Sequence, residues 1–475
     1  MEKIKAQALD YEGRGIAKTS EGKVIFTEDL LPGEEAEIEI VSEKSKTSEG
    51  RIVERFSTSP DRIDPPCENY GKCGGCAIMH MSESLRASFK ENRVRESLQR
   101  IGRLENIEVA PLVVSPRTNN YRNHMQYVIS GMNIGLRAKS SNDFACADGC
   151  LIEYEAFSRM RKALEEHFQD SPTNLFSSLI LRGSERTGEY LVEFVCETDQ
   201  SHEIAIRDAR RYIESGMLFE KMEKVIGDGK LMGIVIQICS DKTSKRTRSG
   251  KRVVIEGCDH YHEILCGKKF RIRSGAFFQV NTEGAELLYG LVRDHVKDSK
   301  VIYDLFCGTG SIGLCCASED AMLFGIEVSS EAVSSAKVNA ELNGAKNASF
   351  VVKQAERFDF DKDDLPRPDV VIVDPPRKGM DIALINKLKK LAPSRIAYVS
   401  CDPSTLARDL KYLTTDYDIV KVTPVDMFPF SHHVEVVSLL QKMSNTRERT
   451  ITLDVEMEDY HRIKNRTEVT ADATE

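Results

Sequence analysis

A chain of 475 residues is too long for one ordinary domain, and two to four are expected. Apolar residues make up 41% and charged residues 30%, which excludes a disordered chain, and the absence of any apolar run of eighteen excludes a membrane-spanning helix. The net charge of −9, from 66 basic against 75 acidic side chains, lowers the expectation of a nucleic-acid partner without excluding one, because a local patch decides binding.

The N-terminus, Met1-Glu2-Lys3-Ile4-Lys5, has no hydrophobic signal core, so a cytoplasmic location is expected. In that compartment 13 cysteines point to metal ligands or reactive thiols, not to a disulfide framework. Residues 1 to 58 read as short strands at 6–9, 24–26, 35–41 and 50–55, punctuated by Glu12-Gly-Arg-Gly15 and Pro32-Gly33. Ala36, Ile38 and Ile40 alternate with glutamates as a half-buried strand does, and a small five-stranded barrel is predicted. Ser57 to Pro66 reads as a linker, followed by Cys67, Cys73 and Cys76 and by a basic helix over 82–101.

Residues 110 to 275 mix predicted strands (126–129, 190–196, 233–239) with helices (156–168, 202–214). The loop 240–252 is rich in Lys and Arg with no acid after Asp241, a candidate phosphate contact or simply a solvated hairpin tip. From about 296 apolar runs at 301–306, 322–328, 350–352, 370–373 and 396–399 alternate with helical segments at 311–317, 330–343, 380–391 and 404–413. That order gives an α/β domain of buried parallel strands with covering helices, closed by an antiparallel pair at 419–422 and 434–440. The polar tail after Lys442 carries one possible strand at Ile451, Leu453, Val455 and Met457.

Asp304-Leu-Phe-Cys-Gly308-Thr-Gly310-Ser-Ile-Gly313 directly follows a strand and opens a helix, so glycines allow close approach of a ligand to a helix N-terminus. Glu327 ends the next strand, where a carboxylate can accept from two ribose hydroxyls. A GxGxxG string alone is weak evidence. Asp304 at the front of the loop, together with Asp374-Pro375-Pro376-Arg377 after the fourth strand, resembles S-adenosylmethionine-dependent methyltransferases and not dehydrogenases. Arg377 stands where amino-group methyltransferases carry an aromatic residue, which disfavours attack at an exocyclic nitrogen.

Carbon 5 of uracil is a poor nucleophile, and addition of a thiolate to carbon 6 activates it. A base must then remove the carbon 5 proton. Val399-Ser-Cys401-Asp-Pro403 places a thiol at the end of the fifth strand, and Phe428 to Glu435 supplies Glu435 at the start of the last. A buried cysteine and a solvated glutamate are the bland readings; position at the carboxyl edge of the sheet favours function. At these residues the C-terminal half resembles the bacterial RNA uracil-5-methyltransferases, which modify 23S ribosomal RNA and the tRNA thymine loop. The matching stretches are 277–281, 304–313, 374–379, 400–410 and 427–435, five motifs in order. The resemblance implies a Rossmann-like methyltransferase domain with Cys401 as nucleophile and Glu435 as base. It also implies that Gln279, Phe306, Glu327 and Asp374 meet the cofactor S-adenosyl-L-methionine or the uracil, with Phe277 against the methyl donor or flipped base. Phe430 and Ser431 depart from the family's usual histidine and threonine.

Cys67, Cys73 and Cys76, with Gly74-Gly75 between the last two, suit a metal or cluster that takes a distant fourth thiol, Cys146 or Cys150. Ribosomal-RNA members of the family carry a 4Fe–4S cluster on cysteines so spaced, which selects Cys150, with zinc as the alternative. Residues 1–58 resemble the TRAM domain, an OB-like RNA-binding barrel, through Asp10 to Ala17 and Leu30 to Glu34. TRAM plus cluster implies 23S ribosomal RNA as substrate, with tRNA or another RNA base as alternatives. The expected division is a TRAM-like barrel (1–58), a central iron–sulfur and RNA-binding α/β domain (59–275), a methyltransferase domain (276–445) and a polar tail (446–475). Neither a membrane nor an obligate protein partner is expected. Three rivals remain: nitrogen methylation, an inactive RNA-binding relative, and a dinucleotide oxidoreductase.

Overall fold

The computed structural model describes residues 1–139, 141, 143–239, 250–358, 360 and 365–444. Most of the basic loop 240–252 and the tail strand at 451–457 therefore lie outside the described residues.

The N-terminal unit is a curled sheet of six strands, not five: Glu2–Lys5, Ala8–Leu9, Gly15–Lys18, Val24–Thr27, Glu35–Glu43 and Thr47–Arg55. The extra strand, Glu2–Lys5, pairs antiparallel with residues 35–38, a long-range pairing that local pattern does not reveal. Ile4, Ala17, Ile25, Ala36 and Ile38 fill its small core. Ile40 departs from the expected alternation and is exposed. The pairing with Thr47–Arg55 shifts register just after it, and such a bulge changes which face a side chain meets.

The middle of the chain forms a seven-stranded sheet covered by the helices Glu155–Asp170, His202–Ser215 and Leu218–Ile226. Its long apolar strands, Ser178–Ser184 and Lys230–Cys239, are buried almost end to end.

The third unit is an eight-stranded sheet. Ala348–Val352, Met322–Glu327, Val301–Leu305, Val370–Val373 and Arg395–Ser400 run parallel in that spatial order. Glu435–Lys442 and Tyr417–Asp426 continue it antiparallel, and the short strand Val113–Val114 closes the far edge. Strand order reverses between Val301–Leu305 and Val370–Val373, the point at which open α/β sheets form their ligand crevice. The helix Thr282–Val296, which sequence periodicity did not single out, packs its buried face into this core, with Asn281 as its N-cap accepting from Gly284 N.

The helix Glu83–Arg100 begins at Ser82, whose hydroxyl accepts from Leu85 N. Its Val94 and Leu98 pack into the same core as Tyr398, Leu406 and Leu410, so this early helix covers the methyltransferase-like sheet.

Candidate active site

The loop 304–313 follows its strand into the helix Ser311–Cys316. Gly313 N donates to Asp304 Oδ2 at 3.0 Å, and a Cβ on Gly313 would stand 2.7 Å from that oxygen, so the turn requires glycine there. Gly308, at φ +54°, faces open space, which leaves its backbone accessible to a ligand. Phe306 holds φ +65°, a left-handed conformation uncommon for a bulky side chain and characteristic of functional loops. Glu327 accepts from Gly308 N at 3.2 Å and Ser329 N at 2.9 Å, so its carboxylate is fixed with acceptor capacity to spare.

Phe306, Gly308 and Glu327 line one cleft of about 1670 Å³ together with Gln279, Asp374, Cys401 and Glu435. Small-ligand pockets run to roughly 300–1,000 Å³, so there is room for a nucleoside cofactor and a second nucleotide. Asp304 is fully buried, and its Oδ1 has no hydrogen-bond partner among the described residues. An accessible glycine backbone and an oriented carboxylate at the neighbouring strand end suit S-adenosylmethionine.

Cys401 and Glu435 come together through strand pairing. Val399 faces Val437 and Ser400 faces Val436 in the antiparallel register; Cys401 directly follows and Glu435 directly precedes that last pair, both line the cleft, and the Glu435 charge acts on the Cys401 sulfur. Asp402 caps the following helix, accepting from Ser404 N at 2.8 Å with Pro403 in the first turn, which fixes the end of the strand that carries the thiol.

Burial pushes the Cys401 thiol up to about 11, helped by the charges of Glu435 and Asp374 and opposed by Arg377. Burial raises Glu435 to about 8, with Asp374 adding to the shift and Arg377 opposing it. Burial alone raises Asp374 to about 7. Asp304 rises to about 8, again chiefly by burial, against the Gly313 hydrogen bond. His432 and His433 are held down to about 4 by burial and then by neighbouring groups, Arg93 first for His432 and His432 first for His433.

The three raised carboxyls give a stability prediction with a definite sign. The folded state keeps protons that the unfolded chain releases near pH 4, so each group weakens folding progressively as pH rises from about 4 towards 8, and no further beyond. Asp304→Asn removes one of these titrations. Thermal midpoints of the cofactor-free protein between pH 5 and 8.5 are expected to fall less steeply in the variant than in the wild type; identical slopes would refute this.

Phe277 is 61% exposed at the mouth of the cleft, while Gln279 is half-buried. A residue not singled out from sequence holds their loop. Asn123 donates through Nδ2 to the Gln279 carbonyl at 2.9 Å and through its backbone to Val280 O at 3.0 Å. Asn281 Nδ2 donates to Met427 O at 2.9 Å, tying the same loop to the segment before Glu435. Arg377 lies beside the His433 ring, with Nη2 and Nε2 3.4 Å apart. No local motif surrounds Asn123; its role follows from a chain reversal 156 residues long.

Cys67, Cys76 and Cys150 pack with Tyr70, Tyr121 and Phe430 in one small cluster. Burial and then neighbouring thiols raise Cys76, and the sulfurs of Cys150, Cys73 and Cys67 all act on it. Gly75 N donates to Cys73 Sγ at 3.3 Å. Among the described residues no group of three or more His, Cys, Asp or Glu side chains is gathered closely enough to hold one metal ion. Cys146, the other candidate fourth ligand, is exposed. Gly74, Gly75 and Cys76 line the same cleft as Cys401.

Among the described residues no helix is long and apolar enough to cross a membrane. Residues 245–443 match the family described as tRNA (Uracil-5-)-methyltransferase, and residues 3–53 match the TRAM domain. An uncharacterized RNA methyltransferase of Caldanaerobacter subterraneus subsp. tengcongensis is 32% identical over 92% of this chain and 98% of its own length. Another, from Halalkalibacterium halodurans, is 30% identical over 92% and 96%. Among solved structures, the Pyrococcus abyssi tRNA (uracil-54, C5)-methyltransferase in complex with S-adenosyl-L-homocysteine superposes with a TM-score of 0.72 at 25% identity, covering 92% of this chain and all of that one. S-adenosylmethionine is accordingly the methyl donor and RNA the substrate. The chain belongs to the RNA uracil-5-methyltransferase family, with a TRAM domain at its N-terminus.

Proposed function

We propose that this enzyme methylates carbon 5 of a uridine in 23S ribosomal RNA through a transient bond between Cys401 and carbon 6 of the ring. The placing of Cys401 and Glu435 next to the last paired residues of neighbouring strands, in one cleft with Asp374 and the glycine loop, carries this reading. Bound S-adenosylmethionine supplies an electrophilic methyl and a positive sulfonium charge. Gln279, Phe306, Glu327 and Asp374 hold that cofactor and the uracil.

Cys401 adds to carbon 6, which makes carbon 5 nucleophilic. The thiol gives its proton to water as the C–S bond forms, a loss that the neighbouring Glu435 and Asp374 charges oppose and Arg377 favours. Once carbon 5 has received the methyl it still bears its hydrogen. Glu435 takes that proton, the C6–S bond breaks, and the ring double bond returns.

Cys67, Cys73, Cys76 and Cys150 are the residues that would hold a 4Fe–4S cluster. Four half-buried thiols, three of them (Cys67, Cys76 and Cys150) packed in one small cluster, are a suitable donor set. A single zinc, which would draw its sulfurs to about 2.3 Å from one point, is the alternative occupant. The cluster's part is structural, since thiol addition and methyl transfer move no electron between redox centres. Anaerobically purified protein is expected to contain about four irons per chain, and Cys76→Ser to lose them.

The domain division follows the same reading: TRAM at 1–58, cluster and RNA-binding elements at 59–275, methyltransferase at 276–445. The ribosomal substrate is favoured by the TRAM match together with the four-cysteine set. A transfer-RNA uridine is the second reading, favoured by the likeness to the Pyrococcus abyssi tRNA enzyme. Unmodified 23S fragments and tRNA transcripts, incubated with labelled methyl donor and digested to nucleosides, separate the two. Label in 5-methyluridine from the ribosomal fragments is expected; label from tRNA alone overturns the ribosomal assignment.

A further inference from the structure

The segment that leads into Glu435 is held from outside the methyltransferase stretch. Lys90, fully buried in the helix Glu83–Arg100, donates to Asp426 Oδ1 at 2.6 Å and to the Phe428 carbonyl at 2.9 Å. Arg93, one turn on, donates to the His432 carbonyl, and Arg86, one turn back, lies over the Phe430 ring with its guanidinium 5.4 Å from the centroid. Positions 86, 90 and 93 follow helical spacing and share one face. Ala77 N and Ile78 N both donate to the Phe430 carbonyl, at 2.9 and 3.0 Å.

Asp426 ends the strand Tyr417–Asp426, in which Val425 pairs with Glu435. Both ends of the connection 427–434 are thus tied, one through Asp426 and one through the sheet. A buried ammonium has three donors, and two of Lys90's reach this connection. Without them the Asp426 carboxylate loses its buried counter-charge, and the Phe428 carbonyl keeps only the Ser431 N–H and hydroxyl, both from within the connection itself, so the connection can rearrange just before the base.

We propose that Lys90 is a positioning residue for Glu435, holding the connection 426–434 so that the carboxylate reaches the carbon 5 proton of the uracil bonded to Cys401. The inference rests on the functional reading above. The step it serves is the last: Glu435 takes the proton, its electron pair re-forms the ring double bond, and the C6–S pair returns to sulfur. Methyl transfer precedes that step and does not use Glu435 as a base, so losing Lys90 separates the two.

The test is single-turnover methylation of unmodified substrate RNA with labelled methyl donor. Total methylated RNA is measured alongside the share still bonded to protein on a denaturing gel. Lys90→Met is expected to slow release at least tenfold more than methyl transfer, so that methylated, protein-linked RNA accumulates. Affinity for S-adenosylmethionine is expected to stay within twofold of wild type. Equal slowing of both steps, or no slowing of either, overturns the proposal.

If Lys90→Met does not fold, Lys90→Met combined with Asp426→Leu removes both buried charges, and such pairs are often replaced without loss of stability. The Phe428 carbonyl still lacks its tie to the helix there, so the same accumulation is expected and the same outcomes overturn it. Wild-type enzyme on RNA containing 5-fluorouridine runs in parallel. No covalent adduct in that arm defeats the functional reading itself; an adduct there with wild-type behaviour of the Lys90 variants defeats only the positioning role.

Discussion

Replacing Cys401 with serine is expected to lower methyl transfer to RNA at least about 1000-fold, the scale on which removal of a covalent nucleophile acts. A hydroxyl is a far weaker nucleophile than a thiolate and would need its own activating base. Burial, with Glu435 and Asp374 adding to it, pushes even the Cys401 thiol up to about 11, and a serine hydroxyl in the same place is harder still to deprotonate. Cofactor affinity is expected to be unchanged in the serine variant, which separates lost chemistry from lost folding. Labelled methyl incorporation measures the effect, and a loss smaller than tenfold would exclude a covalent role for this sulfur.

Glu435→Gln has the second largest expected effect, of a different kind. The amide keeps the shape of the side chain and abolishes the base, a change worth about 100- to 10,000-fold on proton removal. Glu435 also contributes to the upward shift of the Cys401 thiol, and a neutral amide lifts that burden. Addition and methyl transfer should thus survive while release stalls. The expected product is RNA that carries one methyl group and remains bonded to protein. Free, fully released product at the wild-type rate would remove Glu435 from the mechanism.

The parallel half of the methyltransferase sheet was legible because each of its strands is a short apolar run bounded by glycine or by a capping residue. The strand Val301–Leu305 and the helix from Ser311 lie where the pattern put them, and the first turn of that helix carries Gly313 where Asp304 Oδ2 leaves no room for a Cβ. What pairs distant segments was not legible. Cys401 and Glu435 are recognisable as separate motifs, but only the antiparallel pairing of Arg395–Ser400 with Glu435–Lys442 brings them to one cleft. Nothing local announces that Val113–Val114 completes the sheet, that the helix around Lys90 packs beneath the loop before Glu435, or that Asn123 grips the backbone of Gln279. Those contacts depend on chain reversals of a hundred residues or more, which periodicity over a dozen residues cannot encode. The helix Thr282–Val296 escaped for a simpler reason. Its apolar positions are diluted by glycine and charge, and its start signal, Asn281, lies inside a motif read for binding.

Incubation of the enzyme and S-adenosylmethionine with 5-fluorouridine-containing 23S and tRNA fragments bears most directly on the covalent step. Fluorine on carbon 5 does not leave as a proton does, so the bonded state has no exit. A denaturation-resistant protein–RNA complex, mapped by peptide mass to Cys401 and absent in Cys401→Ser, is the expected result. Methyl transfer to the corresponding unfluorinated RNA with no such complex on any fragment would contradict it.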